Sequence, residues 1–153
     1  MNQAEELRYL VLALQREGNR QLTEALRPIG LSPAQAEVMQ VLDQFGELSL
    51  VELGERLVCE TGSPSRLVKD MVKEGMIDRK PDPNDGRALR LSLTANGKTL
   101  IQKVNQIEDA YNQSVADLAK DLPIPLDTAL DVLHKLVAGT PAGQAVILRK
   151  HGP

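Results

Sequence analysis

The sequence predicts a mainly α-helical chain with a small β-hairpin wing: a winged helix-turn-helix with further helices before and after it. Three observations point there. From Gly62 to Gly97, a basic amphipathic helix is followed by two short alternating runs around a polar turn. Over most of the remaining chain, apolar residues recur at three- and four-residue spacing, as on one face of a helix. The composition is 42% hydrophobic but only 2% aromatic, with no Trp, one Phe (Phe45) and two Tyr (Tyr9 and Tyr111). A core of Leu, Val, Ile, Ala and Met suits helix packing better than a sandwich or barrel. The shortage of aromatic platforms also weighs against single-strand or RNA binding by base stacking.

The elements follow in order. Residues 4–27 read as a long helix through Leu7, Leu10, Val11, Leu14, Leu22, Ala25 and Leu26, ended by Pro28 and Gly30. Gly18 within it marks a weak spot or a close contact. Ser32 then caps a second helix with Pro33 at its first position, where a missing N–H costs nothing. Ala36, Val38, Met39, Val41, Leu42 and Phe45 carry its apolar face, and Gly46 closes it. Ser49 and Glu52 form a capping-box pattern for a short third helix, with Leu50, Leu53, Leu57 and Val58 facing inward. After the turn Cys59–Gly62, Ser63-Pro64 opens a fourth helix in the manner of Ser32-Pro33. Leu67, Val68, Met71 and Val72, continued by Met76 and Ile77, form its buried stripe, opposite Arg66, Lys69, Asp70 and Lys73. Strands are expected at Met76–Arg79 and Ala88–Leu93, flanking the turn Lys80–Arg87. In the second, Leu89, Leu91 and Leu93 alternate with Arg90 and Ser92. Thr94 caps a long helix from Ala95 to about residue 118, with Gly97 in its first turn tolerating close approach. Pro123 and Pro125 end it, a helix over Leu126–Ala138 follows, and the rest reads as a tail.

The first, fifth and sixth helices carry apolar stripes longer than a compact winged helix can cover. Each such face must be buried somewhere. The economical solution is a homodimer, with the terminal helices interdigitating about a twofold axis; the alternative is a single-chain bundle over the winged helix. The division expected is 1–30 as an N-terminal dimerisation helix, 31–97 as the DNA-binding unit and 98–153 as C-terminal dimerisation helices.

The 153-residue chain has a formal net charge of −3, but its distribution is uneven. Between Ser63 and Lys98 stand eight bases (Arg66, Lys69, Lys73, Arg79, Lys80, Arg87, Arg90 and Lys98) against five acids (Asp70, Glu74, Asp78, Asp82 and Asp85). A basic face on an acidic body fits a DNA binder with a separate assembly region, although an ordinary solvated surface shares that signature. No run of about 18 apolar residues is present, so no membrane span is expected. The N-terminus lacks a signal-peptide pattern and Cys59 is the only cysteine, so a cytoplasmic location is expected.

Double-stranded DNA is the expected partner. In a helix-turn-helix the second helix enters the major groove by its N-terminal half. This places Ser63, Ser65, Arg66 and Lys69 against bases and phosphates, with Lys73 reaching the backbone. In the hairpin, Asp85 can pair with Arg87 and fix the loop, leaving Arg87 or Arg90 to sit in a minor groove, drawn by its negative potential. The competing reading is a polar turn whose residues only satisfy turn geometry. Cys59, at the end of the third helix, is a candidate redox sensor, since oxidation there would disturb the recognition turn. The plainer reading is a small buried residue. The adjacent Glu60 would raise its pKa rather than lower it. His134 and His151 are the only histidines and no metal-ligand spacing occurs. No catalytic constellation or phosphate loop is seen, so neither enzyme activity, metal nor cofactor is expected.

The run LSLVELGERL…GSPSRLVKDMVKEGMIDRKPDPNDGRALRLSLTANG, with the preceding LSPAQAEVMQVL, resembles the MarR family of bacterial transcription regulators. The match includes the D-x-R wing as Asp85-Gly86-Arg87 and the L-T-x-x-G exit as Leu93-Thr94-Ala95-Asn96-Gly97. It is close over residues 30–105, and the helix order of the remainder agrees. The resemblance implies a winged-helix homodimer on a palindromic operator, usually a repressor. It also implies a small aromatic or phenolic anion as ligand, bound between the dimerisation and DNA-binding regions; the junction of the first, second and fifth helices is the expected place. Many relatives carry a basic residue where this chain has Gly86, which implies fewer wing contacts to phosphate. The competing functional class is a winged-helix protein-protein interaction module whose basic face docks on an acidic partner. A small-molecule-binding protein without DNA function is disfavoured by the local positive charge.

Overall fold

A computed structural model describes residues 1–59, 62–83, 85 and 88–151. Seven helices and three short strands follow one another along the chain among these residues. Helix α1 spans Gln3–Leu26, with the Asn2 side chain accepting from the Glu5 N–H at 2.9 Å. It gives way to a 3-10 turn, Arg27–Ile29, where Pro28 removes a backbone donor. Helix α2 spans Pro33–Phe45 and begins with the expected reciprocal capping box, built by Ser32 and Gln35. It ends at Gly46, whose φ of 77° is reached without strain only by glycine.

The short strand β1, Leu48–Ser49, was not expected, because two residues carry no readable periodicity. The tertiary fold creates it by pairing Leu48 with Leu91 and Ser49 with Arg90 on β3, Leu89–Leu93. Helix α3, Leu50–Gly54, starts with the predicted Ser49–Glu52 capping box but is brief. Leu53 and Leu57 face inward as expected, whereas Val58 is 41% exposed because the helix has already ended. Helix α4 spans Pro64–Lys73. Strand β2, Ile77–Pro81, pairs antiparallel with β3, one residue later than its predicted start, giving the order β1-β3-β2.

Thr94 caps helix α5, Ala95–Ala119, by accepting from the Gly97 N–H at 2.9 Å. A Cβ on Gly97 would run into the Met76 carbonyl oxygen, so glycine is required by the close approach of α5 to the start of β2. Gly18 is also a contact point: the Tyr111 hydroxyl of α5 donates to its carbonyl at 3.4 Å. Helix α6 spans Leu126–Val137. The segment read as a tail is in fact a helix, α7, Pro141–His151, begun by Thr140, whose hydroxyl accepts from the Gly143 N–H at 3.1 Å. Thr140-Pro141 repeats the Ser32-Pro33 start signal, and reading it would have found this helix.

The core gathers Leu26, Ala36, Val38, Met39, Val41, Leu53, Val68, Met71, Ile77, Leu91, Ile101 and Val104. It therefore lies where α2, α3, α4 and α5 meet the sheet. The outer stripes are left open in the single chain: Leu10 and Leu14 on α1, Val115 and Leu118 on α5, and Leu130, Leu133 and Leu136 on α6 are exposed. No helix among the described residues is long and apolar enough to cross a membrane.

Candidate nucleic-acid interface

Helix α4 is amphipathic, with Val68 and Met71 buried. Arg66, Lys69, Asp70 and Lys73 project from the opposite arc and are exposed, as are Ser63 and Ser65 at the start. The buried pair anchors α4 on the core, and that anchoring points the basic arc outward. No side-chain hydrogen bond or ion pair ties Arg66, Lys69 or Lys73 to another described residue. Their charges are thus available to an external anion.

The start of α4 departs from its expected resemblance to α2. Ser63 makes no side-chain capping bond. At α2 the residue three positions after the cap, Gln35, reaches back to complete the box; at α4 that position is Arg66, which has no acceptor to offer. The Ser63 carbonyl accepts from Arg66 and Leu67, while its hydroxyl is left out of the helix's own bonding. An unbonded hydroxyl beside the first N–H groups of a helix suits a phosphate oxygen.

In the wing, β2 and β3 are joined by a loop closed by two bonds, Asp82 N–H to Ala88 carbonyl and Ala88 N–H to Asp85 carbonyl, both 2.9 Å. Asp85 is exposed at its tip. The expected Asp85–Arg87 pairing, and the Gly86 position, lie outside the described residues. Arg90 is held at the wing's root rather than extended from it. Its guanidinium donates to Glu52 at 2.8 Å and lies 3.4 Å from Asp82, and 30% of the side chain is exposed. Glu52 also accepts from the Ser49 N–H at 2.7 Å. Those Ser49 bonds, with Arg90 and Arg56 nearby, hold its carboxyl below the usual glutamate range.

Cys59 is exposed rather than buried, which corrects the plainer sequence reading. Its thiol is nevertheless pushed up to about 11, first by desolvation from the protein around it and then by the Glu37 carboxylate. The acid that faces it therefore comes from α2, while the neighbouring Glu60 lies outside the described residues. A raised pKa leaves little thiolate and works against a sensing role.

Sequence periodicity missed Glu37 altogether. It is 3% exposed and accepts from the backbone N–H groups of Val58 at 2.9 Å and Cys59 at 2.7 Å. Arg149 of α7 donates to the same carboxylate at 2.9 Å. The one available signal was an acid set among the apolar residues Ala36, Val38, Met39 and Val41.

The MarR family model matches residues 31–89, from the residue before the α2 cap to the first residue of β3. The organic hydroperoxide resistance transcriptional regulator of Bacillus subtilis (strain 168) is 30% identical over 134 residues, covering 85% of this chain and 90% of that protein. The chain belongs to the MarR family. The multiple antibiotic resistance protein MarR of Escherichia coli (strain K12) is 26% identical over 114 residues, covering 73% of this chain and 79% of that one. A cysteine-to-serine mutant of E. coli MarR solved with operator DNA superposes with a TM-score of 0.72 at 27% identity, covering 87% of this chain and 94% of that one. BpsR of Bordetella bronchiseptica gives a TM-score of 0.78 at 18% identity over 91% of this chain and 98% of that one, a likeness of fold. This MarR-family chain is accordingly a transcriptional regulator rather than an enzyme.

Proposed function

We propose that this MarR-family protein is a cytoplasmic, ligand- or stress-responsive repressor that binds a palindromic operator as a homodimer. The observation that carries the reading is the unpaired basic arc of α4, held outward by Val68 and Met71 beside a wing. Arg66, with Ser63, Ser65 and Lys69, reads the major groove; Lys73 contacts the backbone. Arg87, shaped by Asp85, enters the minor groove, and Arg90 steadies the wing from its root. The E. coli relative solved on operator DNA supports this assignment by likeness of fold and sequence.

The homodimer is supported by the exposed apolar stripes of α1, α5 and α6. Residues 1–30 and 98–153 then form the dimerisation region around the DNA-binding unit 31–97. Twofold symmetry sets the two α4 helices about 34–36 Å apart, so a small change in spacing releases the operator. The ligand is a small aromatic or phenolic anion at the junction of α1, α2 and α5. On the α2 side of α5, Glu108 accepts from Gln40 at 2.8 Å, and burial raises its pKa.

Selection of random genomic fragments by the purified protein tests the reading. Enrichment of one palindrome, bound by a species that sediments as a dimer at micromolar concentration, is expected. Enrichment of no sequence, or monomer alone, overturns it.

A further inference from the structure

Among the described residues, Glu37 is the only charged side chain withdrawn almost entirely from solvent. A buried carboxylate needs donors and a counter-charge. It receives two donors from the backbone at Val58 and Cys59, just before the stretch that leads into α4, and the counter-charge from Arg149. Arg149 comes from a helix 112 residues further along the chain.

The guanidinium is itself well seated. Its second nitrogen donates to the Gln40 side chain at 3.3 Å, and the main-chain carbonyl of Arg149 accepts from the Gln44 side chain at 3.0 Å. Gln40 in turn donates to Glu108 on α5. Ala145, one turn before Arg149, is 1% exposed, so α7 is packed down at this point. Three parts of the molecule therefore meet at one carboxylate: the C-terminal helix, α2 and the chain leaving α3.

We propose that Arg149 is a positioning residue for DNA recognition: by neutralising Glu37 from α7, it fixes the Val58–Cys59 backbone and so sets where α4 begins. The mechanism is electrostatic. Without Arg149, the buried Glu37 carboxylate is left without its counter-charge and draws in water, which weakens its hold on the two N–H groups. The chain before Pro64 then loses its anchor while the apolar seat of α4, Val68 and Met71, is untouched. Movement of α7 is thereby transmitted to the recognition helix through one ion pair and two backbone bonds. This rests on the operator-binding reading above.

The test uses the full chain and the palindromic duplex that wild-type protein enriches. In Arg149→Met, measured well below the melting transition, hydrogen exchange at the Val58 and Cys59 amides quickens and duplex affinity falls roughly tenfold, with sedimentation unchanged. Arg149→Lys recovers part of the affinity, and Glu37→Gln loses it as Arg149→Met does. Wild-type exchange and affinity in Arg149→Met overturn the proposal. So does a loss of affinity that only parallels a loss of melting temperature and dimer in both variants. A wild-type protein that enriches no palindrome sinks the operator reading instead, and the two failures are thereby distinguished.

Discussion

The Arg90 guanidinium sits 2.8 Å from the Glu52 carboxylate, joining the wing strand β3 to the first turn of α3. The pair reinforces the backbone register, in which Arg90 lies opposite Ser49, the α3 cap whose N–H donates to Glu52. Wing and helix-turn-helix are thus fastened at a shared corner. The proposed function therefore gives the two wing arginines different tasks, Arg90 at the wing's root and Arg87 on DNA.

That difference is measurable in salt. Arg87→Ala should weaken duplex binding and reduce the slope of log affinity against log salt by about 1, as for the loss of one phosphate-neutralising charge. Arg90→Met should weaken binding through a looser wing while leaving that slope nearly unchanged. Equal slope changes in both variants, read from binding titrations at several salt concentrations, would refute the division.

Acid should loosen the same corner. The Glu52 carboxyl is held below its ordinary value, so its contribution to stability is complete above the unfolded glutamate pKa of about 4.3 and is lost as pH falls through the lower folded value. The wild-type melting temperature should fall more steeply below pH 4 than that of Glu52→Gln. Parallel melting curves across that range would count against the assignment.

Gly97→Ala should destabilise the protein although Gly-to-Ala exchanges usually favour helices. The new methyl would meet the Met76 carbonyl oxygen, which is fixed by accepting from the Thr94 N–H at 3.1 Å. A net cost of about 1–3 kcal/mol is expected from overpacking, a drop of several degrees in thermal melting. The exposed neighbour Asn96→Ala should melt like wild type.

Cys59 should react slowly. With its thiol near 11, roughly one molecule in ten thousand carries a thiolate at pH 7. Alkylation by iodoacetamide should run roughly 300-fold slower than for an unstructured cysteine peptide, and peroxide should leave duplex binding intact. Rapid alkylation, or loss of binding under mild peroxide, would restore a sensing role.

Much of the fold was legible because its signals are local. The Ser32, Ser49 and Thr94 caps, the Pro33 and Pro64 starts and the alternation of Leu89, Leu91 and Leu93 each depend on residues within a turn or strand of one another. The basic arc of α4 was readable for the same reason: its 3.6-residue period sorts Arg66, Lys69 and Lys73 away from Val68 and Met71. Helix α7 was missed although Thr140-Pro141 announced it. The fate of Arg90 was not legible, since its partners Glu52 and Asp82 lie 38 and 8 positions away on other elements.

By itself, then, the sequence determined the order of the main helices, the hairpin, the outward basic face and the family resemblance. Only the tertiary structure decided that Leu48 and Ser49 become a strand, that α7 returns to α2, and that Glu37 is shared by Val58, Cys59 and Arg149. Periodicity reports which face of an element is apolar. It does not report which distant polar group will meet a buried charge, because that pairing exists only once packing has excluded water.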